Sequence, residues 1–453
     1  MELEAKEDDT QHIELPSGLD QADQNSPASW SWYRKHLILL QCGLHAVGPG
    51  FSAAILIPAT EVLASQFNIA PQTATYPLAV QVLFLGMGPF LWTPLLNSYG
   101  RRPVLIGSML LSSIAALGAG FTKTYGTHLT ARLFQAIGIS SGFIIPGVIV
   151  VDLFRPEQRG SKNGRAGWEW AMWLVAIVNF AQVIFYVFTC PETSVEHRRL
   201  NGLGAFHPRE YLILPKRLPG RLRVRSFLEP LLFIQSPPAF LIVVAYGITF
   251  GIISPGMTAI IPLALKEVYN FGAIQQGLFF LGSLVGVALG ERLAGPGSDW
   301  TMNRERRLAA KTGRSARLES RLYVGVPGLV FSVVGVLIFG FTLKHRTHWI
   351  GPCLGHGIAS FGLQLVTTPF KTYCVDSYTA HSGSVLQFIN VVRQVIAFTV
   401  PFWSPNLNEA LGYDLGFGVE AIILVAFYAP SLLLFWKGAV WRQSVNIRML
   451  KTD

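Results

Sequence analysis

The sequence predicts an all-α polytopic membrane protein, and three observations carry that prediction. Of its 453 residues 51% are hydrophobic and only 14% are charged, with a mean hydropathy of +0.40; this leaves too little polar surface for an ordinary soluble globule. Apolar runs of about 20 residues, each long enough to cross roughly 30 Å of hydrocarbon, recur along the chain. Lys and Arg gather in the short loops between those runs, which marks the loops as cytoplasmic. The formal net charge of +10 is therefore a topology signal facing anionic lipid. A nucleic-acid surface would need the cations on one contiguous patch, which they do not form.

Residues 1–29 hold Glu2, Glu4, Glu7, Asp8, Asp9, Glu14, Asp20 and Asp23 with almost no large apolar side chains, and so predict a disordered acidic cytoplasmic tail. No charged start leads into a short apolar core and a small-residue cleavage site, so the first helix is expected to act as the targeting signal. Trp30, Trp32, Tyr33, Arg34 and Lys35 join interface aromatics to positive charge, which places the amino terminus inside. Crossings follow at 37–62, 76–96, 103–121 and 128–152, the last returning to Arg155, Arg159, Lys162 and Arg165.

One further run, 168–188, is followed by a long stretch with Arg198, Arg199, Arg209, Lys216, Arg217, Arg221, Arg223 and Arg225. Both flanks of that run are basic. One helix cannot begin and end in the same compartment, so either the run is re-entrant or a neighbouring helix is absent. Runs near 239–265, 272–294, 323–343, 349–370, 385–403 and 415–436 make six self-consistent crossings. Arg304 to Arg321 and the tail with Lys437, Arg442, Arg448 and Lys451 then lie inside together with the central stretch. The chain divides into the tail 1–29, an incomplete first bundle 30–190, a basic cytoplasmic loop 191–238, a six-helix bundle 239–436 and a cytoplasmic tail 437–453.

The organising stretch is Thr93-Pro-Leu-Leu-Asn-Ser-Tyr-Gly-Arg-Arg-Pro-Val-Leu105. Gly100 permits a tight turn, Arg101 and Arg102 fix the cytoplasmic side, and Pro103 suits the first turn of the next helix. Leu95, Gly100, Arg101 and Arg102 stand as in the Gly-x-Leu-Ala-Asp-Arg-x-Gly-Arg-Arg/Lys loop between the second and third helices of the major facilitator superfamily, which the chain resembles from Trp30 to Lys437. Thr93, Asn97 and Ser98 depart from that pattern. The resemblance implies two pseudo-repeated six-helix halves, here about five plus six. The missing element is a Gly/Pro-rich fifth helix, expected where Asn163-Gly-Arg runs directly into Ala166-Gly-Trp and lost through alternative splicing, a misread gene or a true deletion. The family's antiporter-associated Gly-Pro motif is not found. The resemblance also implies a cytoplasmic gate of Asn97, Gly100, Arg101 and Arg102. Asp299 joins it from the second-half echo Gly295-Pro-Gly-Ser-Asp299, where a helix is expected to end.

Leu129-x-x-Arg132-x-x-Gln135-x-x-Gly138 resembles the family's fourth-helix signature, with Ala136 in place of a Gly, and the family assigns this Arg to proton coupling. A cation within a crossing costs at least about 2.5–3.5 kcal/mol, so Arg132 faces a watery cavity or a partner acceptor; the other reading is an arginine snorkelling to the outer interface. Gly282, Gly286 and Gly290 align on one helical face and predict close backbone contact. Pro191-Glu-Thr193 resembles a marker of fungal and sugar-type members. Thr372-Tyr-Cys-Val-Asp-Ser-Tyr378, Asn390-x-x-Arg393-Gln394 and Phe398-x-x-Pro401-Phe402 resemble the fungal drug:proton antiporter-like branch.

His45, Gln364, Arg393 and Glu420 are the other polar groups within apolar runs. The first two read as interhelical hydrogen bonds; Arg393 and Glu420 are costlier to bury and are functional candidates. Asp376, near a helix end, caps it or pairs with Lys371. It is also grouped with Arg132, Gln135, Arg393 and Glu420 as a proton-coupling or cavity set.

Cys42, Cys190, Cys353 and Cys374 lack metal-ligand spacing and read as packing residues. The absence of a phosphate loop argues against an ATP-driven pump, and no His-Glu-x-x-His or Gly-x-Ser-x-Gly arrangement points to an enzyme. No cofactor or metal is expected. The expected protein is a monomeric, multi-pass carrier of the cell membrane that moves a small organic molecule by alternating access. In the fungal branch it would be a proton-linked exporter of a drug or secondary metabolite. Uptake of a nutrient or small cation, and a transport-defective isoform, are the alternatives.

Overall fold

The computed structural model describes residues 31–54, 56, 60–143, 168–192, 227, 229–378 and 381–450. The acidic tail 1–29, the end of the fourth run with Arg155, Arg159, Lys162 and Arg165, the junction at 163–166 and the basic stretch from Arg198 to Arg225 lie outside the described residues.

Among the described residues the regular structure is helical, with no strand, because in hydrocarbon a helix satisfies its own backbone. The first half holds α1 (Trp32–Ala54), a short α2 (Thr60–Phe67), α3 (Tyr76–Tyr99), α4 (Arg101–Ala119), α5 (Tyr125–Ile139) and α6 (Trp168–Thr189). The second half holds α7 (Pro237–Gly251) and α8 (Met257–Tyr269), which form one crossing bent by a π turn at Ile252–Gly256. Pro255 lies in that turn and has no amide to donate. Then come α9 (Ala273–Thr312), α10 (Gly325–Lys344), α11 (Ile350–Ser377), α12 (Ser382–Leu411), α13 (Tyr413–Tyr428) and α14 (Leu434–Leu450). Among the described residues seven helical stretches, from Thr73–Tyr99 to Tyr413–Arg442, are long and apolar enough to span a bilayer by length and composition.

One expected boundary is corrected. The sequence ends a helix at Gly295-Pro-Gly-Ser-Asp299, but α9 runs through it, with Pro296 inside, and stops only at Gly313, whose φ is +65°. A proline in a helix interior costs about 3 kcal/mol, yet the charged residues after Asp299 extend the helix where its polar faces meet water. The second-half echo of the Arg-pair loop is therefore a helix segment and not a turn.

The two halves repeat each other's packing. Helix α4 lies against α5 and α6 as α10 lies against α11 and α13, and α3 meets α5 as α9 meets α11. Helix α12 packs on α7 and α13. Among the described residues no helix of the first half occupies the corresponding place. The glycine stripe works as its spacing implies, with Gly282 against Cys353, Gly286 against Gly357, and Gly290 against Phe361 and Gln364. Ser283 and Ser360 share a 2.7 Å hydrogen bond along the same seam.

Between the halves the main contact is α3 on α12. Gln72 Nε2 donates to Asn406 Oδ1 at 2.8 Å, the rings of Tyr76 and Phe402 lie 4.8 Å apart, Asn390 Nδ2 donates to Leu85 O at 3.4 Å, and Gly86 abuts Gln394. On the first-half side these contacts run from Gln72, just before α3, to Gly86 within it, and the far end of α3 turns into Arg101 and Arg102. Toward that end α3 leans on its own half, where Trp92 Nε1 donates to Ile137 O at 2.7 Å.

Candidate functional site

At the turn between α3 and α4, Gly100 stands at φ +91°, a backbone region that strains any residue with a Cβ. The turn delivers the amides of Arg101 and Arg102 to one carboxylate: they donate to Glu192 Oε1 at 3.1 Å and Oε2 at 3.2 Å. A buried anion thus sits on the positive end of α4. Arg102 Nη2 also donates to Val187 O at 3.0 Å, while Asn97 is exposed at the end of α3. Glu192 belongs to the Pro-Glu-Thr marker, to which the sequence attaches no role, and it lies 90 residues from Arg102 in the chain. No local pattern could have paired them.

Glu192 is 2% exposed, so Glu192→Ala should leave two amides without acceptors and cost about 1–3 kcal/mol. Glu192→Gln should fall between that variant and the parent. Thermal unfolding of the purified protein in detergent checks both; identical midpoints would remove Glu192 from the account of this turn.

Asp299 and Asp376 come together through Arg321, whose Nη1 donates to Asp299 Oδ1 at 2.8 Å and whose Nε lies 2.8 Å from Asp376 Oδ2 in an ion pair. This corrects the reading of Asp376 as a partner of Lys371. The two are five residues apart on α11 and so point to different faces, whereas side chains meet at spacings of three or four. Asp376 stands with Asp299 and apart from the other members of the expected cavity set.

Arg132 is fully buried, which rules out the snorkelling arrangement. Its guanidinium joins three helices, donating to Gln135 Oε1 at 2.7 Å, to Ser52 O at 3.0 Å and to Gln81 Oε1. Gln81 Nε2 in turn donates to Ser52 Oγ at 2.7 Å. His45 bonds Tyr186 Oη at 2.8 Å and Ser141 Oγ at 2.9 Å, and Gln364 Nε2 donates to Glu291 Oε2 at 2.7 Å. Both are interhelical bonds.

Glu420 is also fully buried. Ser404 Oγ and Asn408 Nδ2 donate to its Oε1 at 2.5 Å and 3.2 Å, both from α12. Asn408 lines a cavity of about 700 Å³ at the end where Gln72 meets Asn406, together with Gln72, Glu267, Lys344 and Glu409. Arg393 lies deeper along α12, where Nη1 donates to Tyr246 Oη at 2.8 Å and Nη2 to Asn390 Oδ1 at 2.8 Å. The five expected cavity residues are therefore spread over separate networks, only Arg132 and Gln135 sharing one. Ser52, Gln81, Tyr246, Ser404 and Asn408 were not legible as site residues, because an uncharged polar side chain in an apolar run carries no mark of its partner.

A family model described as the Major Facilitator Superfamily matches residues 46–166 and 163–401 of this sequence. The chain belongs to that superfamily. This facilitator is a multi-pass membrane protein, and its match to the family breaks at residues 163–166. It is similar to the MFS transporter fsa7 of Fusarium sp. (strain FN080326), with 28% identity over 439 residues covering 89% of this chain and 84% of the relative. It is also similar to the probable efflux pump mfs2 of Aspergillus flavus, with 24% identity over 425 residues covering 87% of this chain and 98% of the relative. Both alignments are longer than the part of this 453-residue chain they cover, by about 36 and 31 positions respectively. Among solved structures it is similar to the proton:xylose symporter XylE, with a TM-score of 0.59 and 14% identity over 90% of this chain and 96% of that one. At that identity the likeness is one of fold.

Proposed function

We propose that this facilitator exports a small organic molecule, a drug or secondary metabolite, across the plasma membrane in exchange for protons, and that the chain lacks the fifth helix of its first half. One-sided closure carries the transport reading. Helix α3 and the turn before it are joined to α12 from Gln72–Asn406 to Gly86–Gln394, and in this reading the halves part toward Arg101 and Arg102. By the positive-inside rule that end is cytoplasmic. This is the inward-facing state of an alternating-access carrier. On reversal, Arg101 and Arg102 close the cytoplasmic end as a gate opposite the Asp299–Arg321–Asp376 cluster.

The efflux name of the Aspergillus flavus relative supports export. Glu420, buried with two neutral donors and next to a residue lining the closed-end cavity, is the acid placed to exchange a proton. Three observations support the missing helix. The family match breaks at 163–166, both relatives carry extra positions, and the place that α12 fills in the second half has no counterpart among the described residues of the first.

The test is to insert an apolar segment of about 20 residues between Asn163 and Trp168 and reconstitute both forms in liposomes under an imposed pH gradient, following rhodamine 6G and fluorescein. The restored form should move dye with the gradient and the parent chain should not. Equal flux from both would show that the first half is complete, and flux indifferent to the gradient would remove proton exchange.

A further inference from the structure

We infer that the trough between α9, α10 and α11 is a binding site for a membrane sterol. The inference goes beyond the transport reading and does not rest on it. Helices α9 and α11 touch along the seam of Gly282, Gly286 and Gly357, while α10 packs on α11 and contributes Phe331 to the same space. The three flank a cavity of about 1050 Å³ with that seam in its lining. An aromatic pair stands toward each end: Phe271 and Trp349, with ring centroids 6.4 Å apart, and Phe331 and Phe361, at 5.0 Å. From Trp349 to Phe361 the helix rises about 18 Å.

The lining selects the occupant. Among the described residues that line the trough none is charged, and Leu281, Val285 and Leu289 stand exposed along it on a stretch apolar enough to lie in hydrocarbon. Such a space excludes water and takes up lipid. Cys353 directs its thiol to Phe279 O at 3.5 Å. The other hydrogen-bonding side chains of the lining, Gln275 and Trp349, stand at one end. Gln275 Oε1 accepts from the Gly272 amide at 2.7 Å, so its Nε2 is the donor left for an oxygen of the occupant. That end lies away from Arg304, Arg306 and Arg307 at the other end of α9; the positive-inside rule makes it the outer one, and a tryptophan there suits the membrane interface.

A phospholipid brings a charged headgroup, for which this lining has no counter-charge, and a flexible chain that loses its freedom when held. A sterol is rigid, is of similar length to the trough from hydroxyl to tail, and carries its one hydroxyl at one end. Its flat ring system suits a seam where glycines bring two backbones together, with aromatic and leucine side chains as walls.

Photolabelling tests this without requiring flux. The full chain in phosphatidylcholine nanodiscs is labelled with a diazirine-bearing cholesterol and, separately, with a phosphatidylcholine carrying the same group on an acyl chain, and the adducts are mapped by peptide mass spectrometry. Sterol adducts should concentrate in 271–289 and 349–361 and be displaced by unlabelled cholesterol, a result on the parent chain that stands whether or not any variant folds. Val285→Trp, which fills the trough from an exposed position, should lower that labelling at least about five-fold, while Ile422→Trp, equally exposed but on α13, should leave it unchanged. Gln275→Leu and Gln275→Glu, which both remove the amide donor, should each weaken displacement by cholesterol about five-fold, the scale of one neutral hydrogen bond. Sterol adducts spread evenly over the exposed helix faces, phosphatidylcholine adducts as frequent in the trough as sterol adducts, or full labelling of Val285→Trp would overturn the site. Unchanged displacement in both Gln275 variants would remove the hydroxyl contact and with it the choice of a sterol.

Discussion

Replacing Arg132 by Lys in the helix-restored form should leave membrane insertion normal and lower transport at least about ten-fold, the scale of one lost hydrogen bond to a charged group. Arg132 spans Gln135, Ser52 and Gln81 with both terminal nitrogens, tying α1, α3 and α5 into one unit. Lysine keeps the charge but ends in a single ammonium on a flexible stem and cannot reproduce the planar fork. At least one of the acceptors then loses its donor in a fully buried site. The residual transport should also respond differently to an imposed pH gradient if Arg132 takes part in coupling. A Lys variant with parental rate and pH response would reduce Arg132 to a structural cation, and coupling through α5 would have to be abandoned.

Gly286→Val should have an effect of similar size by a different route. A Cβ at position 286 meets the backbone of Gly357, including its carbonyl oxygen, and backbone cannot rotate aside as a side chain can. Helices α9 and α11 must separate, which forces the Gly282–Cys353 and Gly290–Gln364 contacts apart along the same seam. Overpacking of this kind costs about 1–3 kcal/mol or more. The variant should lose thermal stability and monodispersity, while Gly277→Val, on the same helix but with nothing within 4 Å of its Cβ position, should not. Equal stability of the two variants would mean that α9 and α11 do not rely on close approach at this seam.

The all-α polytopic class was readable from the sequence because an apolar run acts locally: the bilayer selects for length and polarity without reference to tertiary partners. The Arg101–Arg102 turn was readable for the same reason, since Gly100 must supply a positive φ wherever that turn forms. The end of α9 was misread because Pro296 and its flanking glycines are strong breakers in isolation, yet one lost backbone bond does not end a helix whose continuation is soluble and charged. Asp376 was misassigned because proximity in sequence is not proximity on a helix. The contact of Glu192 with the Arg101 and Arg102 amides depends on three-dimensional placement, and no spacing along the chain encodes it.

The proposed alternating access requires the two halves to separate and rejoin at the end where α3 and its preceding turn meet α12. Placing thiols at Gln72→Cys and Asn406→Cys, whose native side chains share a 2.8 Å hydrogen bond, allows a short bifunctional thiol reagent to hold that end shut. Cross-linking should proceed readily in the absence of substrate, and in the helix-restored form it should stop transport until a cleavable linker is cut. Full transport by protein that is fully cross-linked at this pair would contradict alternating access between these halves.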